Sequence, residues 1–300
     1  MQGEDSARGF AFAFAAYVLW GFLPLYLKLL AHIPAVEVVA HRVVWSVPIA
    51  AGTLLVLSRL DDLRAALRNR RTLAMGMLTA GILSLNWGIY VWAIATDRTL
   101  DAALGYYINP LFSVFLGAVL LGERLCRAQR AAIALAVIAV AVLTWETGRL
   151  PVAALALTLT WGAYAYFKRS LPIGPNQGFL LEVLVLLPPA LVWMVWLGIS
   201  GQGHFLAGAS RDSWLLVGTG LATAVPLLLY ANGAKLLRLS TIGIMQYTAP
   251  TIIFLTAVFV FEEPFGRARM IAFPLIWLAL LIYTGAMLRA ARARRRAARD

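Results

Sequence analysis

Apolar residues in this chain come in long blocks, not in the alternating or one-face patterns of a soluble domain. Crossing a hydrocarbon core about 30 Å thick takes roughly 20 mainly apolar residues. Ten windows meet that need, at about 9–30, 36–58, 73–96, 101–122, 126–145, 151–168, 177–199, 212–235, 241–261 and 268–288. Backbone groups in hydrocarbon must be bonded within their own segment, so each window is expected to be an α-helix. The pattern predicts an all-α membrane protein of ten transmembrane helices joined by short connections.

The connections then orient the chain, because cytoplasmic loops carry the excess of Lys and Arg. One alternate set holds Arg8, then Arg59, Arg64, Arg68, Arg70 and Arg71, then Arg124, Arg127 and Arg130, then Lys168 and Arg169, then Lys235 and Arg238. A tail beginning at about 289 adds Arg289, Arg292, Arg294, Arg295, Arg296 and Arg299. The opposite set has only Arg98, Arg149, Arg211, Arg267 and Arg269. Both termini are therefore expected in the cytoplasm, and the number of spans is even. The tail reads as a positive-inside anchor, with binding of anionic lipid headgroups as the alternative.

Composition agrees: 61% of the 300 residues are hydrophobic and 13% charged, outside the range of a soluble globular domain. The formal charge of +12 does not point to nucleic acid, because most of its 23 Arg and 3 Lys cluster in the gaps between apolar blocks. Cys126 is the only cysteine, and His32, His41 and His204 are scattered, so neither a disulfide framework nor a Cys/His metal cage is expected, and no cofactor is called for. Phe10 to Phe22 has the look of a signal peptide, but the apolar run continues to Leu30 and has a later counterpart, so it is read as the first span. No polar or low-complexity linker divides the chain, and no Gly-xxx-Gly seam or soluble assembly domain commits an oligomeric state.

The counterpart belongs to an internal repeat. Trp20-Gly21 recurs as Trp161-Gly162, and at the same offset of 141 residues His41 faces Glu182 and Pro48 faces Pro189. At offset 140, Arg98, Tyr107, Pro110 and Glu123 recur as Arg238, Tyr247, Pro250 and Glu263, and Tyr90 matches Tyr230. Two blocks agreeing within one residue indicate duplication. Five helices begin on one side of the membrane and end on the other, so the second copy must be inverted: residues 1–145 form the first repeat and 146–300 the second. Inverted repeats give many secondary transporters two near-equivalent states, each open to one side.

These features resemble the drug/metabolite transporter superfamily, EamA branch, and most closely its RarD type. The resemblance rests on Ala16-Tyr17 with Trp20-Gly21, His41-Arg42 with Trp45-Ser46, Asn86-Trp87, Gly105 to Leu111 running to Gly122-Glu123-Arg124, Leu181-Glu182 with Leu187-Pro188, Pro226-Leu227, Arg238 to Thr241, and Gln246-Tyr247 ahead of Pro250-Thr251. It covers nearly the whole chain. It implies a ten-helix inverted-repeat fold in the bacterial inner membrane and an exporter-like role toward small organic solutes, with amino acids and amphipathic drugs as cargo.

Polar groups within spans are expensive and mark an interior or wet cavity. In the second span Glu37, His41, Trp45 and Pro48 share one face, predicted to line the interior. His41 changes charge near neutral pH and is a candidate coupling or gating group; the alternative is a neutral histidine bonded to a backbone carbonyl. Its repeat partner Glu182 should lie on the order of 14 Å away vertically in a core of about 30 Å, which suits two opposite gates rather than one ion pair. Asn86 with Tyr90, and Tyr106 with Asn109 and Ser113, combine aromatic surface with hydrogen-bonding capacity. Trp20 and its counterpart Trp161, with Tyr164, Lys168, Gln246 and Tyr247, are expected to complete a central substrate cavity, against the alternative that such aromatics only anchor or pack helices. Lys168 joins His41 and Glu182 as a gating candidate. Pro48, Pro110, Pro226 and Pro250 are expected to kink their spans, and Glu123 and Glu263 to be interfacial.

The expected function is alternating-access export of small amphipathic metabolites, amino acids including aromatic ones foremost, with drug efflux or a passive facilitator as alternatives. A membrane-embedded enzyme is disfavoured, since no carboxylate pair, Ser/His/acid set, metal motif or nucleotide fingerprint is present. The expected partners are a small-molecule solute and membrane lipid.

Overall fold

The computed structural model describes residues 6–56, 60–208 and 210–297; Arg59 and Arg299 of the charge pattern lie outside the described residues. Within these the chain forms twelve α-helices and no strand: α1 (Ala7–Lys28), α2 (Ala35–Val56), α3 (Leu60–Arg68), α4 (Arg70–Ala95), α5 (Thr99–Leu121), α6 (Arg127–Thr147), α7 (Val152–Arg169), α8 (Pro175–Ser200), α9 (Ser210–Ala234), α10 (Leu239–Met245), α11 (Thr248–Phe259) and α12 (Arg267–Ala297). Among the described residues, nine helices are long and apolar enough to cross a membrane, with α10 and α11 acting together over Thr241–Phe259. Of the ten windows, the one missing from this set is α7, whose 18 residues end in Lys168 and Arg169 and include Thr158, Thr160, Trp161, Tyr164 and Tyr166. Any 18-residue window of this helix must include both terminal charges, and three of its residues, Trp161, Tyr164 and Lys168, line the cavity described below.

Local chemistry sets the helix ends. The side chain of Ser6 accepts from the Gly9 amide to start α1, and that of Asn69 accepts from Arg71 and Thr72 at 3.0 and 3.1 Å to start α4. Gly122 and Gly201 end α5 and α8 in the left-handed conformation, which costs glycine nothing. The ninth window, expected as one span, is broken at Gln246–Tyr247. The break puts Pro250 in the first turn of α11, where its missing N–H has no intrahelical partner to lose. Pro110, its counterpart by sequence, stays inside an unbroken α5.

α3, which the apolar windows did not predict, buries Leu63 and Ala66 against α4 and α8. The major pairings among the long helices join the first half of the chain to the second: α2 packs on α8 and α9, α4 on α7 and α8, α1 on α9 and α11, α5 on α7 and α11, and α6 on α12. Small residues permit these close crossings. A Cβ at Gly105 would lie 2.7 Å from the Ala154 carbonyl oxygen, so only glycine fits where α5 meets α7. We call the end of the bundle where α1 starts proximal and the end where it finishes distal.

Candidate functional site

A cavity of about 330 Å³ lies where the two halves meet. It is lined from α1, α2, α4, α5, α7, α8, α9, α11 and the α10–α11 break, while α6 and α12, packed on each other, contribute nothing. Its walls are two groups of aromatic rings. Tyr17, Trp20 and Tyr230 touch one another with centroids 5.5–5.8 Å apart. On the other wall Tyr90 meets Tyr106 at 5.5 Å, Tyr106 meets Trp161 at 6.5 Å, and Trp161 meets Tyr164 at 5.5 Å. Trp20 and Tyr230 on one side correspond by sequence offset to Trp161 and Tyr90 on the other, so each wall takes one of these rings from each half.

Polar groups punctuate the rings. Asn86 donates to Thr160 Oγ1 at 2.8 Å and to the Leu157 carbonyl at 3.3 Å, leaving its own Oδ1 buried and without a partner. The Tyr90 hydroxyl and Asn109 Oδ1 are likewise buried and unmatched. Buried polar atoms are ordinarily satisfied, so a cluster of orphans around a cavity marks where a solute or water completes the set. At the proximal side Lys168 Nζ lies 2.7 Å from Glu182 Oε2, and the Tyr164 hydroxyl donates to the same oxygen at 3.2 Å. Glu182 is fully buried. Lys168 reaches it because the short connection between α7 and α8 folds the last turn of one helix against the second turn of the next.

The structure thus brings Trp20, Asn86, Tyr90, Tyr106, Asn109, Trp161, Tyr164, Lys168 and Gln246 to one cavity, with Glu182 directly behind Lys168. Two expected residues lie elsewhere. His41 is buried but turned to the distal connection, accepting from Trp45 Nε1 at 3.1 Å with its ring 4.9 Å from that of Phe205. Its neighbour Glu37 accepts from the His204 amide at 2.7 Å, so the Glu37/His41/Trp45 face packs on the loop between α8 and α9 rather than lining the cavity. The difference has a geometric cause: in a span surrounded by protein, apolar residues occur all round, and periodicity alone does not say which side faces the cavity. Tyr247 sits one residue past Gln246 and packs with the cluster around Phe273 instead. Ser113 is exposed. Glu263, just past the end of α11, is 4% exposed and accepts from the Thr99 and Leu100 amides at 2.6 and 2.9 Å.

Arg42 is the lining residue that the helical-face reading omits. It lies about 100° round α2 from His41, which is enough to face the cavity. The signal that finds it is a charge well inside an apolar span. Tyr17, Trp87, Asn176 and Tyr230 also line the space.

Comparison with known proteins agrees with this architecture. The EamA-like transporter family model matches residues 7–145. A RarD protein of Streptomyces exfoliatus is 41% identical over 293 residues, covering 97% of this chain and 93% of its own. An uncharacterized transporter of Vibrio cholerae is 37% identical across 98% and 97% of the two chains, and a chloramphenicol-sensitive RarD protein of Pseudomonas aeruginosa is 35% identical across 92% and 93%. A crystal structure of a protein 21% identical to this chain superposes with a TM-score of 0.61, covering 93% of this chain and 98% of that one, a likeness of fold. With its apolar helices and these relatives, the chain is an integral protein of a bacterial membrane and a transporter rather than an enzyme. It belongs to the EamA-like transporter family of the drug/metabolite transporter superfamily, in the RarD-type branch.

Proposed function

We propose that this chain is a secondary transporter that exports small amphipathic metabolites, amino acids including aromatic ones, by alternating access through the central cavity. In this reading α7 is the tenth span and residues 1–145 and 146–300 are inverted five-helix repeats. Both termini are cytoplasmic in the inner membrane, so the proximal end faces the cytoplasm. The helix pairings support the repeat. α2 on α9 is mirrored by α8 on α4, α1 on α9 by α7 on α4, and α1 on α11 by α7 on α5.

One observation carries the functional reading: a cavity of about 330 Å³ walled by aromatic rings from both halves and dotted with unmatched polar atoms. Rings and amides together suit a solute with an apolar body and a polar head. A site shared by two inverted units can be opened to either side by rocking one against the other. Trp20, Asn86, Tyr90, Tyr106, Asn109, Trp161, Tyr164 and Gln246 are the proposed solute contacts. Lys168 and Glu182 act at the proximal gate, while His41 serves the distal end through its loop contacts.

The test is counterflow of labelled aromatic and aliphatic amino acids in proteoliposomes, with chloramphenicol as a separate arm because one relative's name carries it. Saturable amino-acid exchange is expected. Trp161→Ala should weaken it about tenfold, the equivalent of one lost aromatic contact of roughly 1.4 kcal/mol. No exchange of any solute, or exchange that Trp161→Ala leaves unchanged, contradicts the reading.

A further inference from the structure

Arg42 is the eighth residue of α2, about 10 Å from the distal end of that helix, and its residue is 4% exposed. Most of its head group is engaged. Nε donates to Thr223 Oγ1 at 2.9 Å, and that hydroxyl donates to the Thr219 carbonyl at 2.8 Å. The guanidinium carbon stands 4.7 Å from the centre of the Trp87 ring. Nη1, however, is buried without a partner, and none of the ion pairs among the described residues includes Arg42. An isolated charge in a low-dielectric interior is costly, and a guanidinium does not shed its proton to escape the cost. The other cation of the wall, Lys168, is already matched by Glu182 at 2.7 Å. The cavity therefore holds one uncompensated positive charge, at its distal floor.

Resting on the transport reading above, we infer that Arg42 is the carboxylate anchor of the cavity and that the cargo is a small monocarboxylate with an aromatic or bulky apolar body. The planar fork of a guanidinium matches a carboxylate, and Thr223 and Trp87 hold the fork still from one edge and one face. Charge counting narrows the class. A dicarboxylate or phosphate ester brings a second negative charge that no free cation meets, an organic cation is repelled, and a neutral molecule leaves Arg42 unmatched. The apolar body of the cargo packs on Tyr90, Tyr106 and Trp161. An α-ammonium group finds acceptors in the unmatched Oδ1 atoms of Asn86 and Asn109, so α-amino acids belong to the class.

The experiment measures thermal stabilisation of the purified full chain by L-phenylalanine, 3-phenylpropionate, L-phenylalaninamide and phenethylamine, with the same four as competitors of labelled L-phenylalanine in counterflow. The two carboxylates are expected to stabilise the wild type and the amide and amine to leave it unmoved. Arg42→Gln should weaken carboxylate binding about 10- to 100-fold, Arg42→Lys less, and Thr223→Val several-fold by freeing the fork. Equal binding of acid and amide by the wild type overturns the inference, as does a carboxylate preference that survives Arg42→Gln. The wild-type comparison decides even where the glutamine variant fails to purify. If carboxylates bind in an Arg42-dependent way but nothing is exchanged, the transport reading falls and the anchor stands. Counterflow of neutral or cationic solutes untouched by carboxylates does the opposite: transport stands and the anchor falls.

Discussion

Glu123 and Glu263 close α5 and α11 with the same turn, each amide bonded to a carbonyl six residues back, at 3.2 and 2.9 Å, yet their side chains are in opposite circumstances. Glu263, at the distal end, is buried and holds the first two amides of α5. Glu123, at the proximal end, is exposed. The same contrast runs through the two ends of the cavity. Distally, the space below Leu23, Arg42 and Ile253 is filled by Leu27, Leu30, Ile94, Leu157 and Leu216, none more than 2% exposed. Outside this layer, Lys28 pairs with Asp97, His32 with Asp212 at 3.0 Å, and Arg269 with Asp101 at 3.1 Å. Proximally, the lining continues to Lys168 in the last turn of α7 and to Pro175 and Asn176 in the first turn of α8. Chemically equivalent positions in the two halves are thus used unequally in a single conformation: the distal end is sealed, and the cavity runs toward the proximal end.

Substitutions that bear on this contrast should differ in size. The largest effect is expected at the proximal side of the cavity, where Glu182→Gln leaves the Lys168 ammonium without its carboxylate. We expect a loss of about 2–4 kcal/mol in thermal unfolding, below the full cost for a buried pair because the Lys168 side chain is 21% exposed. Removing both charges, as Lys168→Met with Glu182→Leu, should recover most of it; no recovery would mean that the pair is not what holds α7 to α8. At the distal end Glu263→Ala strips two buried amides of their acceptor and should cost about 2 kcal/mol. Glu123→Ala should stay within about 0.5 kcal/mol, as at other exposed positions. Equal losses at the two glutamates would erase the contrast between the ends.

Much of this arrangement was legible in the residues, for physical reasons. Hydrocarbon demands long apolar helices, so the windows appear plainly, and the offsets of Trp20 with Trp161 and Tyr90 with Tyr230 reveal the two facing walls. Asn86, Tyr106 and Asn109 stand out because amides and hydroxyls inside a span need a reason. What stayed hidden depends on rotation and on loops. The rotation of α2 decides that Arg42 rather than His41 faces the cavity, and a helix apolar on every side carries no periodic sign of it. The pairing of Lys168 with Glu182 depends on the tight connection between α7 and α8. Likewise the break before Pro250 separates Gln246, which lines the cavity, from Tyr247, which does not.

For solute to pass, the sealed distal end must open. Cysteines replacing His32 and Asp212, with Cys126→Ser to remove the only other thiol, allow that end to be bridged by a short, reducible bifunctional thiol reagent. Bridging is expected to abolish counterflow of L-phenylalanine and reduction to restore it, while the bridged protein still binds its solute from the proximal side. Transport by a fully bridged protein at the rate of the unbridged one would contradict alternating access through this end.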